Sequence, residues 1–517
     1  MKTSFNFQKI LALCFVILLT LTACERPDPT AGDSLLENGL ETAVPSADLT
    51  IPQPTAISAE PTTPPTPLPV YVGTPTPDPN RPVNLNEGAT TFLHTVNAGE
   101  SLGYIAQLYG VALEEILEVN QISVNDFIQV GQQLQIPDQP AILGPSFKII
   151  PDSELIFGPS ANGFRVRDVA TSYGGYLLNY EESVEGDMLA GPEIVELVAQ
   201  RYRVNPRLLL AALEHRSGWV TKSNVNADPL SLGYASNILG LYGQLNTMAN
   251  ELNWGFYGRS EGNLLTFSID DGTRIAYAGD INDGTAGVQR FLGSHVGATY
   301  DNWLQEVSSE GFFRTYNTLL GNPFAYSAEA RLPSDLTQPP LQLPWPSGET
   351  WYFSSGPHGG WAPGSAWAAL DFAPPEKELG CAATDAWVTA MADGVVTFSN
   401  RGAIIVDMDD DRNHNTGWAL LYMHLETRDR IPTGTPVQTG DRLGHPSCEG
   451  GFSSGAHVHV ARTYNGRWIS ADGAVPFEMS GWVTEGLGSE YNGLLVRGNV
   501  SKEACSCWEE LNAITAD

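Results

Sequence analysis

Five side chains in the last third of the 517-residue chain have the types that bind a metal ion and move protons. They are His358, Asp371, His424, His457 and His459, and they lie in the stretches GPHGGWAPGSAWAALDFAPP, LLYMHLE and CEGGFSSGAHVHVAR. A catalytic zinc ion takes three protein ligands such as His and Asp and leaves a fourth position open. It lowers the pKa of a bound water toward about 7, and a neighbouring histidine can then transfer protons. The set therefore predicts a site for one zinc ion with acid–base groups beside it.

The spacing of His457 and His459 supports this interpretation. Both lie in an apolar run, Ala456 to Ala461, that alternates as a β-strand does. Residues two apart on a strand point to the same face, so the two imidazoles are expected to lie side by side. One of them can be a metal ligand while the other stays free for proton transfer.

The stretch CEGGFSSGAHVH, with YMHL upstream, resembles the lysostaphin-type zinc metallopeptidases that cut peptidoglycan peptides. The commoner branch of that family uses a His-x-x-x-Asp pair, but the residue four positions before Asp371 is Trp367. The smaller β-lytic branch separates its first His and Asp by 13 positions, as this chain does from His358 to Asp371. The resemblance covers roughly 343–482. It implies that His358, Asp371 and His459 are zinc ligands and that His424 and His457 are the catalytic pair.

The roles within that pair stay open. His424 is assigned to the oxyanion and His457 to proton transfer, and the two roles could be exchanged. The family resemblance implies a zinc-dependent endopeptidase that cleaves peptidoglycan peptide cross-links. The alternative is a catalytically inactive scaffold or hydrolase activator that keeps the fold and binds the wall. Trp367 supports this alternative, whereas the presence of all five site residues favours the enzyme.

A second unit runs from Leu93 to Pro137 and is predicted to be strand, helix, helix, strand. Ser101 is a good N-cap before a helix with apolar residues at helical spacing. The unit resembles a LysM domain over its whole length, which implies binding to glycan that contains N-acetylglucosamine. The loop residues that are candidates for this binding are Gly99, Glu100, Ser101, Asn120 and Ile122.

The region between these two units is predicted to be mainly helical. Its central stretch is similar to the helix of lysozyme-like transglycosylases, in which an Ala-Leu run leads into Glu-Ser-Gly. Here the triplet is Arg216-Ser217-Gly218, so the expected general acid is missing. Asp270 and Asp271 lie in SIDDGT, which is typical of a turn. A non-catalytic domain is therefore predicted, one that binds glycan or spaces its neighbours.

The first 24 residues have the pattern of a secretion signal. Lys2 and Lys9 precede an apolar run, and Leu21-Thr22-Ala23-Cys24 resembles a bacterial lipobox, which implies an acylated Cys24. Residues 25–90 are rich in Pro and Thr and are expected to form an extended linker. These features predict a lipoprotein anchored to the membrane on the outside of the cell. The net charge of −32 argues against a nucleic-acid partner, which needs a basic surface.

Two further patterns concern the C-terminal region. Cys381 and Cys448 are expected to form a disulfide that braces the CEGG loop, since the protein is predicted to be exported. Residues 407–413, DMDDDRN, resemble the start of a calcium loop but lack the Gly and the distal Glu of an EF-hand. A solvated hairpin turn is the preferred interpretation of that stretch.

The predicted fold class is a multidomain α+β chain. Its parts are a signal peptide at 1–24, a linker at 25–90, a small βααβ LysM domain at 92–138, a mainly helical middle domain at 147–331, an antiparallel β-sheet peptidase domain at 343–485 and a tail at 486–517.

Overall fold

The computed structural model describes residues 91–517 except 97–100, 110, 112, 124–127, 130–131, 138–140, 235–237, 262–263, 329–331 and 378–379. The predicted signal peptide, the predicted lipidation site Cys24, the linker and two of the glycan-binding candidates, Gly99 and Glu100, lie outside these residues. All described residues fall within one compact unit of the chain. No helix in this part of the chain is long and apolar enough to cross a bilayer.

The N-terminal described unit has the predicted order of strand, helix, helix and strand. Its elements are β1 (Thr91–Thr95), α1 (Leu102–Tyr109), α2 (Leu113–Asn120) and β2 (Gln133–Pro137). The two strands pair antiparallel, with Thr91 opposite Pro137. Apolar residues at helical spacing, such as Ile105 and Ile116, are buried against Leu134 and Ile136 of β2. The predicted fold of this unit is therefore confirmed.

The middle region is mainly helical, as predicted. Its helices are α3 (Val166–Tyr173), α4 (Gly191–Tyr202), α5 (Pro206–Ser217), α6 (Gly240–Ser260), α7 (Asp283–Gly293), α8 (Tyr300–Glu306) and α9 (Phe312–Leu320). Its short strands are β3 (Ile142–Leu143), β4 (Glu181–Val184), β5 (Asp187–Ala190), β6 (Thr266–Ser268) and β7 (Arg274–Ala276). Strands β6 and β7 form a hairpin whose turn contains Asp270 and Asp271, as the SIDDGT pattern predicts.

A buried ion pair fixes the start of α5. Pro206 occupies the first turn, and the side chain of Asn205 accepts a hydrogen bond from Arg207 N. The Arg207 guanidinium lies 2.7 Å from Glu154, whose side chain is fully buried. Tyr316 of α9 donates to the same carboxylate at 2.5 Å. The paired charges therefore lock α5 and α9 together inside an otherwise apolar core.

Arg216, at the position of the missing general acid, and Glu214, two residues before it, have structural partners. Glu214 accepts hydrogen bonds from Val220 N at 2.9 Å and from the Thr221 hydroxyl at 2.6 Å, so its carboxylate holds the turn after α5. Arg216 pairs with Glu306 of α8 at 3.1 Å. The absence of catalysis in this domain stays a prediction.

The C-terminal region consists of β-strands and connecting loops. Its strands are β8 (Thr350–His358), β9 (Ala369–Ala373), β10 (Val388–Thr389), β11 (Gly394–Asn400), β12 (Ala403–Asp407), β13 (Trp418–Met423), β14 (Pro436–Val437), β15 (Arg442–Gly444), β16 (Val458–Tyr464), β17 (Arg467–Trp468), β18 (Glu478–Met479), β19 (Trp482–Gly486), β20 (Gly493–Arg497), β21 (Val500–Glu503) and β22 (Ala513–Thr515). The central sheet has the order β14-β11-β12-β13-β16-β9-β8-β22, and all its neighbouring pairs are antiparallel.

Residues 486–517, which the sequence separates as a tail, are part of this fold. Strands β19, β20 and β21 pair in a second small sheet, and β22 closes the central sheet against β8. Ile514 is buried in the core between these elements. The peptidase-like domain therefore extends to the last strand, β22, beyond the predicted boundary at 485.

The central sheet has two apolar faces. On one face, Ile405, Leu421 and Ala461 lie opposite one another on adjacent strands. They belong to the same buried cluster as the core of the helical domain, whereas residues such as Val406 and Leu420 belong to a second core on the other face. The middle domain therefore covers one face of the sheet, which is the face that also carries His459, two residues before Ala461.

Candidate metal centre

Strands β8 and β9 bring His358 and Asp371 together across 13 residues of sequence. The strands are antiparallel, with Ser355 opposite Asp371 and His358 opposite Ala369. The pairing is irregular both before and after Ser355. Such irregularities re-aim side chains, and here the strand ends with the His358 imidazole against the Asp371 carboxylate. On the other side of β9, Asp371 lies directly opposite His459 of β16.

Three ligand-type atoms converge between these strands. His358 Nε2 lies 3.2 Å from Asp371 Oδ1, His459 Nδ1 lies 3.1 Å from the same oxygen, and the two nitrogens are 3.0 Å apart. All three side chains are buried. Two zinc bonds of about 2.0–2.1 Å at a tetrahedral angle place their ligand atoms about 3.3 Å apart. The residues present therefore fit a zinc ion with little change in geometry.

Backbone carbonyls select the nitrogen that each ligand histidine presents. His358 Nδ1 donates its proton to Gly356 O at 2.8 Å, and His459 Nε2 donates to Gly360 O at 3.0 Å. A carbonyl oxygen only accepts, so the opposite nitrogen of each neutral ring keeps its lone pair toward the centre. Hydrogen bonds of this kind orient metal-binding histidines and increase their basicity.

The electrostatics keep Asp371 in the form that binds a metal. Burial opposes its ionisation, but the neighbouring His358 and His457 outweigh burial and hold the pKa of the carboxyl well below its usual value. Burial lowers the pKa of His459, which favours its neutral form. Burial also acts to lower the pKa of His358, but the neighbouring Asp371 outweighs it and the net shift is upward, so metal binding there would release a proton. A charged oxygen ligand and a neutral nitrogen ligand are the forms that zinc requires.

His424 and His457 form a second pair beside the three ligand-type residues. Their ring centroids are 4.5 Å apart, and His457 Nε2 lies 3.7 Å from Asp371 Oδ2. His424 follows β13 with a φ of +62°, in the left-handed region that non-glycine residues rarely adopt. Strain of this kind occurs often at functional sites. The structure thus brings all five predicted residues to one place.

The loop from Cys448 to Ala456 holds the second pair in position. His424 Nδ1 donates to Glu449 O at 2.9 Å, and His457 Nδ1 donates to Gly455 O at 2.8 Å. Both rings therefore turn Nε2 away from the loop. Cys448 is joined to Cys381 by a disulfide, so the loop is tied covalently to the segment after β9.

The structure adds residues that the sequence did not indicate. The ring of Tyr491 stacks on the His358 imidazole, with centroids 4.8 Å apart and planes 21° apart. The neighbouring Glu490 accepts a hydrogen bond from Gly359 N at 3.2 Å. Both residues lie in the segment predicted to be a tail, and no motif marks them.

Trp367, at the usual His-x-x-x-Asp position, is half-buried, and its carbonyl accepts from Ala471 N at 2.8 Å. The structure places His358 of the adjacent strand, instead of residue 367, against the Asp371 carboxylate.

The glycan-binding candidates have different environments. Ser101 is exposed just before α1, and Ile122 packs against the small core of its unit. The Asn120 amide donates to Ile116 O and Gln135 O and accepts from Gln135 N, so it ties α2 to β2. A glycan contact by these residues stays a prediction, and for Asn120 it would compete with structural hydrogen bonds.

Comparison with known proteins supports the family resemblances inferred from the sequence. The family model described as LasA, N-terminal domain, matches residues 148–333, and that of the LysM domain matches residues 94–137. Protease LasA of Pseudomonas aeruginosa is 27% identical over 311 residues, which are 54% of this chain and 68% of that protein. The chain carries a LysM domain and resembles Protease LasA. The match to the LasA N-terminal domain coincides with the middle domain predicted at 147–331.

Solved structures of metallopeptidases also align with parts of this chain. The M23 metalloprotease pseudoalterin from the deep sea is 28% identical, with 33% of this chain and 96% of that chain covered and a TM-score of 0.27. The catalytic domain of lysostaphin from Staphylococcus simulans is 20% identical, with 24% and 89% covered and a TM-score of 0.18.

Proposed function

We propose that this chain is a zinc-dependent endopeptidase that cleaves peptide cross-links of peptidoglycan outside the cell. The observation that carries the proposal is the convergence of His358 Nε2, His459 Nδ1 and Asp371 Oδ1 within 3.0–3.2 Å. A second histidine pair lies beside them, as proton transfer requires. The similarity to Protease LasA supports a peptidase, and the LysM match supports a wall substrate.

His358, Asp371 and His459 would hold the metal. A bound zinc ion would supply Lewis acidity toward a water molecule and the scissile carbonyl. The chain itself contributes fixed ligands, since each ligand ring is locked by a backbone carbonyl. It also limits the access of bulk water, because all three ligand side chains are buried.

His424 and His457 would handle protons at their Nε2 atoms. Each ring donates Nδ1–H to a loop carbonyl, so in the neutral form Nε2 can accept a proton from the attacking water. In the protonated form Nε2–H can donate to the developing oxyanion or to the leaving amine. We assign His424 to the oxyanion and His457 to proton transfer, and the exchanged assignment uses the same two atoms.

The remaining parts of the chain are proposed to deliver this site to the wall. The LysM domain would bind glycan that contains N-acetylglucosamine, and an acylated Cys24 would anchor the chain in the membrane. Between them, the Pro-rich linker 25–90 would extend at about 3.1 Å per residue, which is a reach on the order of 150 Å or more.

Metal content tests the first part of the proposal. Elemental analysis of the purified full-length chain should find about one zinc ion per molecule, and His358→Ala should lose it. His295→Ala is a matched control, because His295 lies in the helical domain and its ring bonds Leu292 O of the preceding helix, α7. If the wild-type chain binds no zinc when the metal is supplied, the proposal of a zinc enzyme is refuted. The alternative of a wall-binding scaffold would then remain.

Activity tests the second part. Zinc-loaded wild type should release new amino termini from purified peptidoglycan. His457→Gln and His424→Gln should keep zinc and lose about 10²-fold or more in rate, which is the usual contribution of a general acid or base. If the zinc-loaded wild type sediments with the wall but releases no amino groups, the chain is the catalytically inactive scaffold instead.

A further inference from the structure

A loop rich in acidic residues lies away from the candidate metal centre. It joins β12, which ends at Asp407, to β13, which begins at Trp418. Carboxylate oxygens of Asp407, Asp409 and Asp411 all lie within 4.8 Å of one another. None of the three forms an ion pair with Lys or Arg in the described part of the chain. Three like charges at this separation repel one another unless a cation lies between them.

Asp407 supplies a second and independent observation. Its side chain is fully buried, at 0% exposure, at the end of a strand with no exposed residue. Asp407 Oδ2 accepts a hydrogen bond from Arg412 N at 3.0 Å. Asp407 Oδ1 is buried, and no donor among the described residues reaches it. A buried carboxylate oxygen without a partner is costly, and a bound cation would satisfy it.

We propose that Asp407, Asp409 and Asp411 bind a calcium ion. Oxygen atoms that share one Ca²⁺ at 2.3–2.6 Å lie at most about 5 Å apart, a limit that the cluster meets. The donors are all carboxylate oxygens, the type preferred by hard cations, whereas the histidine-rich centre suits zinc. Backbone carbonyls of the loop and water would complete the six to eight ligands that calcium takes.

The packing of the loop supports this assignment. Gly417 has a φ of +56°, and a Cβ there would collide with Asp409 Oδ2, so the Asp409 carboxylate folds back over the loop. Asp411 Oδ2 accepts from the Thr416 hydroxyl at 2.5 Å. The carboxylates of the two exposed residues are thus held near Asp407, although their own charges oppose this arrangement.

The same loop contacts the helical domain. Asn413 Nδ2 donates to Asn162 Oδ1 at 2.9 Å, and Arg203 Nη2 donates to His414 O at 2.6 Å. Calcium would therefore rigidify a loop through which the two domains touch. It would also fix the start of β13, the strand that ends immediately before His424.

Calcium binding by the full-length chain tests the proposal. The chain is freed of metals, reloaded with one equivalent of zinc and dialysed against ⁴⁵Ca²⁺. About one calcium ion per chain should bind, and 1 mM Ca²⁺ should raise the Tm by about 4 °C or more. The double variant Asp409→Asn/Asp411→Asn should lose both effects while its zinc content stays unchanged. Because both substituted residues are exposed, the fold should be kept.

Asp410→Asn is the matched control. Asp410 is an exposed residue of the same loop, outside the cluster, and its φ of +64° is one that Asn tolerates. This variant should bind calcium as the wild type does, and an equal concentration of Mg²⁺ should not displace the ion, because Mg²⁺ dehydrates reluctantly. The proposal is overturned by a wild type that binds no calcium, by a double variant that binds normally, by an equal loss in the control, or by displacement with Mg²⁺.

Discussion

The imidazole of His358 is held from two sides. Gly356 O fixes the orientation of Nδ1, and the Tyr491 ring stacks on the imidazole face. Tyr491 is itself fixed by the backbone, since Tyr491 N donates to Pro357 O and Tyr491 O accepts from Gly356 N, both at 2.8 Å. The ring therefore acts as a positioning group for a proposed metal ligand.

Replacement of this ring should weaken metal binding while the fold is kept. In Tyr491→Leu the flat contact with His358 is lost, and the zinc affinity should fall about tenfold, at the lower end of the effect of residues that orient ligands. Tyr491→Phe keeps the stacked ring and should bind zinc as the wild type does. Competition with a chromophoric zinc chelator measures both affinities. Equal affinities of the Leu and Phe variants would show that the ring does not position His358.

The individual site residues differ in how far the sequence could predict them. Residue type, strand spacing and the family resemblance indicate His358, Asp371, His424, His457 and His459, and the structure brings these together. Tyr491 and Glu490 could not be found, because they reach the site only through tertiary packing from a segment with no motif. Asn120 shows the opposite case. Its loop position predicted a glycan contact, but its side chain forms hydrogen bonds within the fold.

At the scale of elements, the loop 448–456 is the support of the proposed catalytic pair. It supplies Glu449 O to His424 and Gly455 O to His457, and the disulfide from Cys448 to Cys381 restrains it. The proposed zinc ligands lie on strands β8, β9 and β16 of the central sheet. Metal binding and proton transfer should therefore respond differently when the loop is released.

Removal of the disulfide by Cys381→Ser/Cys448→Ser should separate these two properties. The bridge spans 67 residues, and the chain-entropy estimate of its stabilisation is about 4 kcal/mol. We expect about one zinc ion per chain to remain, whereas kcat on peptidoglycan should fall about tenfold because both Nδ1 acceptors become mobile. Cys505→Ser/Cys507→Ser serves as the control, because these two cysteines lie in the C-terminal region outside the loop 448–456. A parallel loss of zinc and activity would show that the loop supports the ligands as well.

Helix α5 contains a titratable group that links stability to pH. Burial, followed by the positive charges of Arg216 and His295, lowers the pKa of His215 to about 4. His215 Nδ1 lies 2.9 Å from the Thr315 hydroxyl, and its Nε2 is 4.0 Å from Glu306. Since the folded pKa lies below the unfolded value near 6.5, the fold favours the neutral ring. Stability should therefore be lost as the pH falls from about 6.5 toward 4.

His215→Gln should reduce this acid sensitivity. Between pH 7 and pH 5 the wild-type free energy of unfolding should fall by about 2 kcal/mol more than that of the variant, because the unfolded wild type gains a proton that the folded state does not. Urea denaturation at pH 5, 7 and 8 measures the difference, and the interval from pH 7 to pH 8 is the internal control. Equal losses at low pH in the two proteins would contradict the lowered pKa.

The elements themselves were predictable where a local pattern decides them. Helical spacing and turn residues indicated the order of the LysM unit and the SIDDGT hairpin, since both depend on neighbours in sequence. The irregular pairing of β8 with β9 could not be predicted, because it depends on the packing of the whole sheet. The short strand β22 was missed for the same reason, since AIT shows its role only when paired with β8.

At the scale of the molecule, the helical and β-rich domains share a buried core. Strands β12 and β13 are buried along their whole length, which is typical of strands covered on both faces. The apolar runs in the sequence were consistent with this burial but did not reveal which element provides the cover. Polar contacts complete the interface: Tyr257 accepts from Trp468 N at 3.1 Å, and Arg401 pairs with Asp187 at 2.8 Å.

A fragment that begins at residue 332 should therefore be unable to reproduce the native C-terminal domain. Without the helices, Ile405, Leu421 and Trp468 would face water, and an apolar patch of this kind promotes association. We expect the 332–517 fragment to bind the dye ANS, to aggregate and to unfold at a lower temperature than the intact chain. The matched control is residues 141–517, which lack the LysM unit and the residues before it. That unit has a separate core, so its removal should leave the Tm of the remaining chain unchanged. If the 332–517 fragment is monomeric, binds no dye and has the same Tm as the control, the two domains fold independently.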